Sequence, residues 1–354
     1  MGGRARFRGR FGAALGLVAI VGLVVALPIA GSGPRDGQKA VSPAAPAAPE
    51  RGTLWVQDNN LAQAGGITPD FKEMFTTRTE EWARAREFVG VYLLRSTSLR
   101  NPENRIDDAF LRDAFLPNLV AWGIDLGVDV VGAGHLQCPG KERVMLEEAE
   151  QIDRIERLGG EVRYLSLQSV LSKPSNVCPA YGRDAGYDLR IADIVRYIGF
   201  MKGRYPGIQV GLVDAMPAKG WAYEAVYEEL VGALRAKGLT LAFLHLDFPM
   251  ESASAGWANA RAAEALVRTR LGVRFGLLYV SKEGGRTSNE AFYANVLAAH
   301  DAYRAAGGRP DNLILTSWYP HPTVNLPEDA ADDAPFMKLV LDFARLGGTT
   351  ARAG

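Results

Sequence analysis

The sequence has only two cysteines and four histidines among 354 residues, and no excess of either charge, with 40 basic and 40 acidic side chains. Without a basic stripe to follow a phosphate backbone, nucleic acid is not an expected partner. A glycine-rich phosphate fingerprint is also missing. The nearest stretch, "VGAGHLQ" at 131–137, lacks the third glycine that a dinucleotide-binding turn needs. No shift in composition divides the region after Thr53, so one domain is expected there, and no cofactor is called for.

A long uncharged apolar run occurs at the start. Arg4, Arg6, Arg8 and Arg10 precede "FGAALGLVAIVGLVVALPIAG", which is long enough to cross a bilayer as a helix. Residues 1–30 are therefore expected to be a signal peptide or an uncleaved signal anchor, with "AGS" permitting cleavage and the length favouring an anchor. The flanking arginines would hold that end in the cytoplasm. Everything beyond Gly31 would then be periplasmic or extracellular, with the membrane as partner of the N-terminal segment only. Residues 31–52, rich in Pro and Ala, read as a disordered linker. An exported chain is free to oxidise its thiols, and Cys138 and Cys178 are expected to pair.

From Thr53 to Gly348, short β-branched and aromatic runs alternate with amphipathic segments. The strands read as "TLWVQD" from Thr53, "FVGVYLL" from Phe88, "VDVVGAG" from Val128, "VRYLSLQS" from Val162, "IQVGLVDA" from Ile208, "LAFLHLDF" from Leu241, "RFGLLYVS" from Arg274 and "NLILTSWY" from Asn312. A helical pattern follows each. Eight such units without a phosphate fingerprint predict an α/β fold, a single (β/α)8 TIM barrel over residues 53–348.

Active sites of such barrels lie at the C-terminal ends of the strands. Alternation along "LAFLHLDF" places His245 and Asp247 on the inner side against outward Leu244, Leu246 and Phe248. The same pattern predicts Tyr164, Ser166 and Gln168 inward on the fourth strand, Tyr279 and Ser281 with Glu283 beyond them on the seventh, and Thr316 and Trp318 on the eighth. Asp214 ends the fifth strand in an ambiguous phase. Asp58 ends the first and His135 follows the third; with His245, Gln168, Trp318 and Tyr319 they are candidate substrate-binding residues. Polar hydrogen bonders interleaved with Trp221, Trp257, Trp318 and Tyr319 suit a sugar, whose hydroxyls need planar partners and whose C–H faces stack on rings.

At these residues the chain resembles the superfamily of barrel glycosidases and transglycosidases. "LTSWYPHP" is similar to the segment that carries their strand-eight tryptophan, often after a Ser-Trp cis peptide, through Ser317 and Trp318. "LYVSKEGG" would supply the strand-seven carboxylate through Glu283. The resemblance also implies an acid after strand four, where this chain has Gln168 in "SLQSVLSKPSN". Glycoside cleavage needs two carboxyl groups flanking the bond. Asp247 with Glu283 is the expected catalytic pair and Asp214 with Asp247 the next, while Glu251 belongs to the following loop.

The expected function is hydrolysis of an envelope or extracellular polysaccharide, with an oligosaccharide or polysaccharide as partner. The alternative is a catalytically silent barrel that binds polysaccharide during synthesis or export. A metal-dependent hydrolase using His135, His245, Asp247 and His321 is the third reading, and it is weakened by the absence of a His-x-His pair in "TLWVQD".

Overall fold

The computed structural model describes residues 53–58, 67–100, 106–136, 138, 143–172, 187–215, 223–248 and 256–347, all within one compact unit, Ala48–Gly354. The export segment and linker lie outside the described residues. None of the described helices is long and apolar enough to cross a membrane. Cys138 is disulfide-bonded rather than a free thiol, and Cys178 lies outside the described residues.

Eight parallel strands close into a barrel in chain order. They are β1 (Thr53–Asp58), β2 (Val89–Arg95), β3 (Asp125–Val130), β4 (Val162–Gln168), β5 (Gln209–Ala215), β6 (Phe243–Asp247), β7 (Arg274–Tyr279) and β8 (Asn312–Ser317). The fold is the expected one, and the register explains most inward and outward assignments. Leu244, Leu246 and Phe248 join the helix-facing core. A separate cluster of Trp55, Val91, Leu93, Tyr164, Val213, Phe243, Leu278 and Ile314, one or two residues from each of seven strands, fills the lumen.

Two glycines set the lumen's shape by close approach. A Cβ on Gly211 would stand 2.3 Å from the Phe243 ring, and one on Gly276 would stand 2.4 Å from His245. Each bulky lumen side chain therefore lies over a neighbouring strand that has none, the large-against-small filling a narrow barrel requires.

The helical layer follows the sequence pattern with departures at three places. The stretch "DFKEMFTTRTEEWARARE", residues 70–87, reads in the sequence as the helix after the first strand but makes 3-10 turns at Glu73–Phe75 and Thr79–Trp82 and a short helix at Ala83–Arg86. The Asp70 carboxylate at the start of this stretch accepts from the backbone amides of Asn325 and Leu326, each at 2.9 Å, and Trp82 Nε1 donates to the Met74 carbonyl. Tertiary contacts outweigh a periodicity interrupted by Thr76, Thr77 and Thr79. In the helical segment 108–121, a π-helical turn at Leu111–Phe115 precedes Pro117, which supplies no amide and crowds the preceding turn. The remaining α-helices among the described residues are Ser96–Arg100, Val144–Arg157, Tyr187–Arg204, Tyr223–Ala236, Trp257–Ala265, which runs on as a second π-helical turn at Leu266–Leu271, Asn289–Ala305 and Phe336–Gly347. Ser288 caps Asn289–Ala305 by accepting from the Ala291 amide at 3.1 Å.

The seam between the first and last units is bonded on the helix side. Asp58, at the end of β1, accepts from the Thr68 amide at 3.1 Å, the Thr68 hydroxyl and Asn325 Nδ2 at 2.9 Å. Glu328 accepts from Arg84 Nε at 2.8 Å and the Ala85 amide at 2.7 Å. Both carboxylates tie segments more than 240 residues apart in sequence to each other.

Candidate active site

The upper lumen is polar on several strands. Gln57 ends the inward row of β1 above Trp55; its Nε2 donates to Asp129 on β3, and its Oε1 accepts from Thr316 Oγ1 at 2.9 Å and lies 3.5 Å from Trp318 Nε1. Arg95, the last residue of β2, acts electrostatically on Asp129, and Ser166 and Gln168 of β4 lie close enough to favour its ionised form. Burial outweighs these and raises the Asp129 carboxyl above its ordinary value. Asp247 closes β6 beside Ala215 and Leu278, with 9% exposure.

Below this layer His245 is fully buried. Its Nε2 faces Asn312 Nδ2 at 2.9 Å, its ring stacks on Phe243 at 4.3 Å, and Trp55 meets it edge-on at 4.8 Å. Burial, with Arg274 adding repulsion, pushes the imidazole well below its usual pKa, so it fills the lumen in neutral form.

Gln168 and Trp318 stand at the mouth as expected, both half-buried. Tyr319 leans on the loop after β7, where a Cβ on Gly285 would come within 2.7 Å of it, and Arg286 sits 5.5 Å from its ring. His135 ends the turn Gly132–His135 after β3, with Nδ1 3.0 Å from the Val131 carbonyl. Trp257 packs on Phe248 and Tyr303 in the helix layer, so it is not a platform at the mouth. Trp221 and Glu251 lie outside the described residues.

Several expected placements differ. Asp214 pairs in register with outward Leu246, while Ala215 pairs with Asp247. The Asp214 carboxylate therefore faces the helices, accepting from the Ser172 amide at 3.0 Å with Tyr227 OH at 3.4 Å, and it does not meet Asp247 across the lumen. Asp58 is outward as well, held in the seam. On β7 the inward residue is Leu278, not Tyr279, which packs 4.9 Å from Phe343 in the helix layer. Both faces of "FGLLYV" are apolar, so alternation alone left the phase open. Ser281 consequently turns outward, accepting from the Gly284 amide at 2.9 Å and from Asn295 Nδ2 at 3.1 Å. Glu283 is exposed in the turn after β7, preceding the 3-10 turn Gly284–Arg286. The cis peptides are His321–Pro322 and Leu326–Pro327, and Ser317–Trp318 is not among them.

The "VGAG" turn has a structural explanation. Buried Glu148 accepts from the Val131 amide at 2.8 Å, the Gly132 amide at 3.1 Å and Tyr197 OH at 2.8 Å. A Cβ on Gly132 would come 2.4 Å from that carboxylate. The amides that a phosphate would need are already engaged. The histidines of the metal reading are also apart: His321 Nδ1 is 2.8 Å from Asn289 Oδ1 and His245 is engaged with Asn312. Among the described residues no group of three His, Cys, Asp or Glu is arranged to hold a metal.

Asp214 gives a pH test of its outward placement. Burial raises its carboxyl from 3.8 to about 6, against opposing bonds from Ser172. Between those values the folded state binds more protons than the unfolded one, so the Asp214 contribution falls as pH rises and is fully lost above about 6. Urea unfolding of wild type and Asp214→Asn at pH 4 and pH 6.5 should show the variant gaining about 2 kcal/mol relative to wild type across that interval. An unchanged difference would mean Asp214 titrates normally.

No family model matches the sequence, and no curated protein matches it. Similar solved structures include glycoside hydrolase barrels. A double mutant of the endo-β-1,4-mannanase of Cellulomonas fimi is 15% identical, with a TM-score of 0.53, covering 83% of this chain and 70% of that one. A mutant of xylanase 10C from Cellvibrio japonicus in complex with xylopentaose is 12% identical, with a TM-score of 0.49 over 86% of this chain and 69% of that one. The endo-β-N-acetylglucosaminidase of Cordyceps militaris is 8% identical, with a TM-score of 0.45 over 85% and 91%. At 15% identity the likeness to the mannanase is one of fold alone.

Proposed function

We propose that this chain is an exported, glycosidase-like hydrolase that acts on an envelope or extracellular polysaccharide through carboxylates at its strand ends. The observation that carries this reading is the upper lumen. Gln57, Arg95, Asp129, Gln168, Asp247 and Thr316 converge there from six strands beside the half-buried Trp318 indole. Hydrogen-bonding side chains over a packed apolar floor, with one aromatic edge, suit the hydroxyls and C–H faces of a sugar ring. Asp247 is the acid or base of this reading, with Glu283 as its expected partner. The first 31 residues support export, and the disulfide at Cys138 agrees with an oxidising compartment. We propose Cys178 as its partner.

A second reading, a silent barrel that binds polysaccharide, is favoured by one observation: β4 ends in Gln168 where an acid is expected. Purified full-length protein tested against a panel of bacterial polysaccharides should release new reducing ends from at least one. Tight binding with no release from any would favour the silent barrel.

A further inference from the structure

One carboxylate in the upper lumen escaped the reading of strand ends. Asp129 lies on β3 in the inward row with Gly127, whose absent side chain makes room for Leu93 and Tyr164. Its residue exposure is 5%. Gln57 satisfies Oδ2, whereas among the described residues Oδ1 and the neighbouring Ser166 hydroxyl make no well-formed hydrogen bond, Ser166 and Gln168 standing near enough only to act on the carboxylate weakly. A buried carboxylate oxygen whose nearby donors do not close on it is expensive for the fold and calls for an explanation. Here that oxygen belongs to a strand-end residue of the inward row, beneath the mouth.

We propose that Asp129 is the second carboxyl of the site, the group that protonates the glycosidic oxygen while Asp247 serves the water. This rests on the hydrolase reading above. Three observations support Asp129 over Glu283. Glu283 is exposed in a loop beyond a strand whose last residue faces the helices, whereas Asp129 is buried in the lumen. Asp129 adjoins β4, so the acid missing at Gln168 is supplied from one strand earlier. β3 and β6 are three strands apart in a ring of eight, so their carboxyls approach a bound glycosidic bond from different sides.

In the proposed step, Asp129 gives its proton to the bridging oxygen as the bond from that oxygen to the anomeric carbon breaks. Water adds to that carbon, and Asp247 takes the water's proton. One water is consumed, two hydroxyl-terminated sugars result, and the carboxyls exchange protonation states until solvent resets them. Burial, which holds Asp129 protonated to higher pH than an exposed aspartate, suits the acid role; Arg95 opposes it as the charged neighbour.

The test uses the full-length protein and Asp129→Asn. Its probes are the polysaccharide from which wild type releases reducing ends and the 2,4-dinitrophenyl glycoside of the released sugar. Turnover of the polysaccharide should fall about 10²–10⁴-fold in the variant, the range for losing a general acid. The dinitrophenyl glycoside, whose leaving group departs without a proton, should lose less than about tenfold. Equal losses on both substrates, or polysaccharide turnover within about threefold of wild type, would overturn the assignment while leaving the hydrolase reading intact. A wild-type protein that binds polysaccharide and releases nothing would overturn the hydrolase reading, and this role with it.

Discussion

Asp247→Asn should lower the release of reducing ends by about 10²–10⁴-fold while barely moving the melting temperature. Asparagine keeps the shape and one acceptor of aspartate but can neither take a proton nor carry the charge. Asp247 sits at the end of β6 with Ala215 and Leu278 as its strand neighbours, so the isosteric change leaves the packing around it intact. Glu283→Gln, in an exposed turn, provides the comparison. A loss in both variants would uphold the expected Asp247–Glu283 pair; a loss in Asp247→Asn alone would leave the second carboxyl to another strand. Turnover per folded molecule unchanged, together with a fall in melting temperature, would make Asp247 a structural residue.

The largest effect on stability is expected at Trp55→Ala, about 4 kcal/mol. Trp55 is 1% exposed in the lumen and touches Tyr164 at 4.7 Å, Phe243 at 5.2 Å and His245 at 4.8 Å between ring centroids. These partners come from β4 and β6, so the indole packs strands that are not its neighbours. A closed barrel cannot shrink around the hole without breaking its register, and most of the cavity would persist. Urea unfolding monitored by tryptophan-independent far-ultraviolet dichroism measures the loss. A value under about 1 kcal/mol would show that the lumen collapses freely, contrary to a packed interior.

The sequence made the barrel legible because each strand is a short apolar run bounded by turn residues, and this survives boundary errors of a few positions. The site was legible only where one face of a strand is polar. "LHLDF" and "YLSLQ" show their phase directly, so His245, Asp247, Ser166 and Gln168 were correctly placed inward. In "IQVGLVDA" and "RFGLLYVS" both faces are apolar, and the phase depends on Gly211 and Gly276 yielding space to side chains of the next strand. Single-strand alternation does not contain that information. Asp129 was missed for another reason. The apolar run in the sequence starts the third strand at Val128, whereas the strand runs Asp125–Val130. Starting at Asp125, "DLGVDV" alternates cleanly and exposes Asp129 as inward. His245 shows the opposite limit: its inward direction was readable, but its depth below the mouth, against Asn312, depends on the stagger of eight strands.

The bonds at the β1–β8 seam also bear on how fast the protein comes apart. Asp58 with Asn325 and Glu328 with Arg84 join the two ends of the barrel sequence, the contacts that cost the most chain entropy to form. Contacts of that separation need the longest loop closure and are expected to form late, which would put most of their strength into the barrier for unfolding. The seam thus acts on the lifetime of the folded barrel more than on its rate of formation, which makes it a determinant of kinetic rather than equilibrium stability.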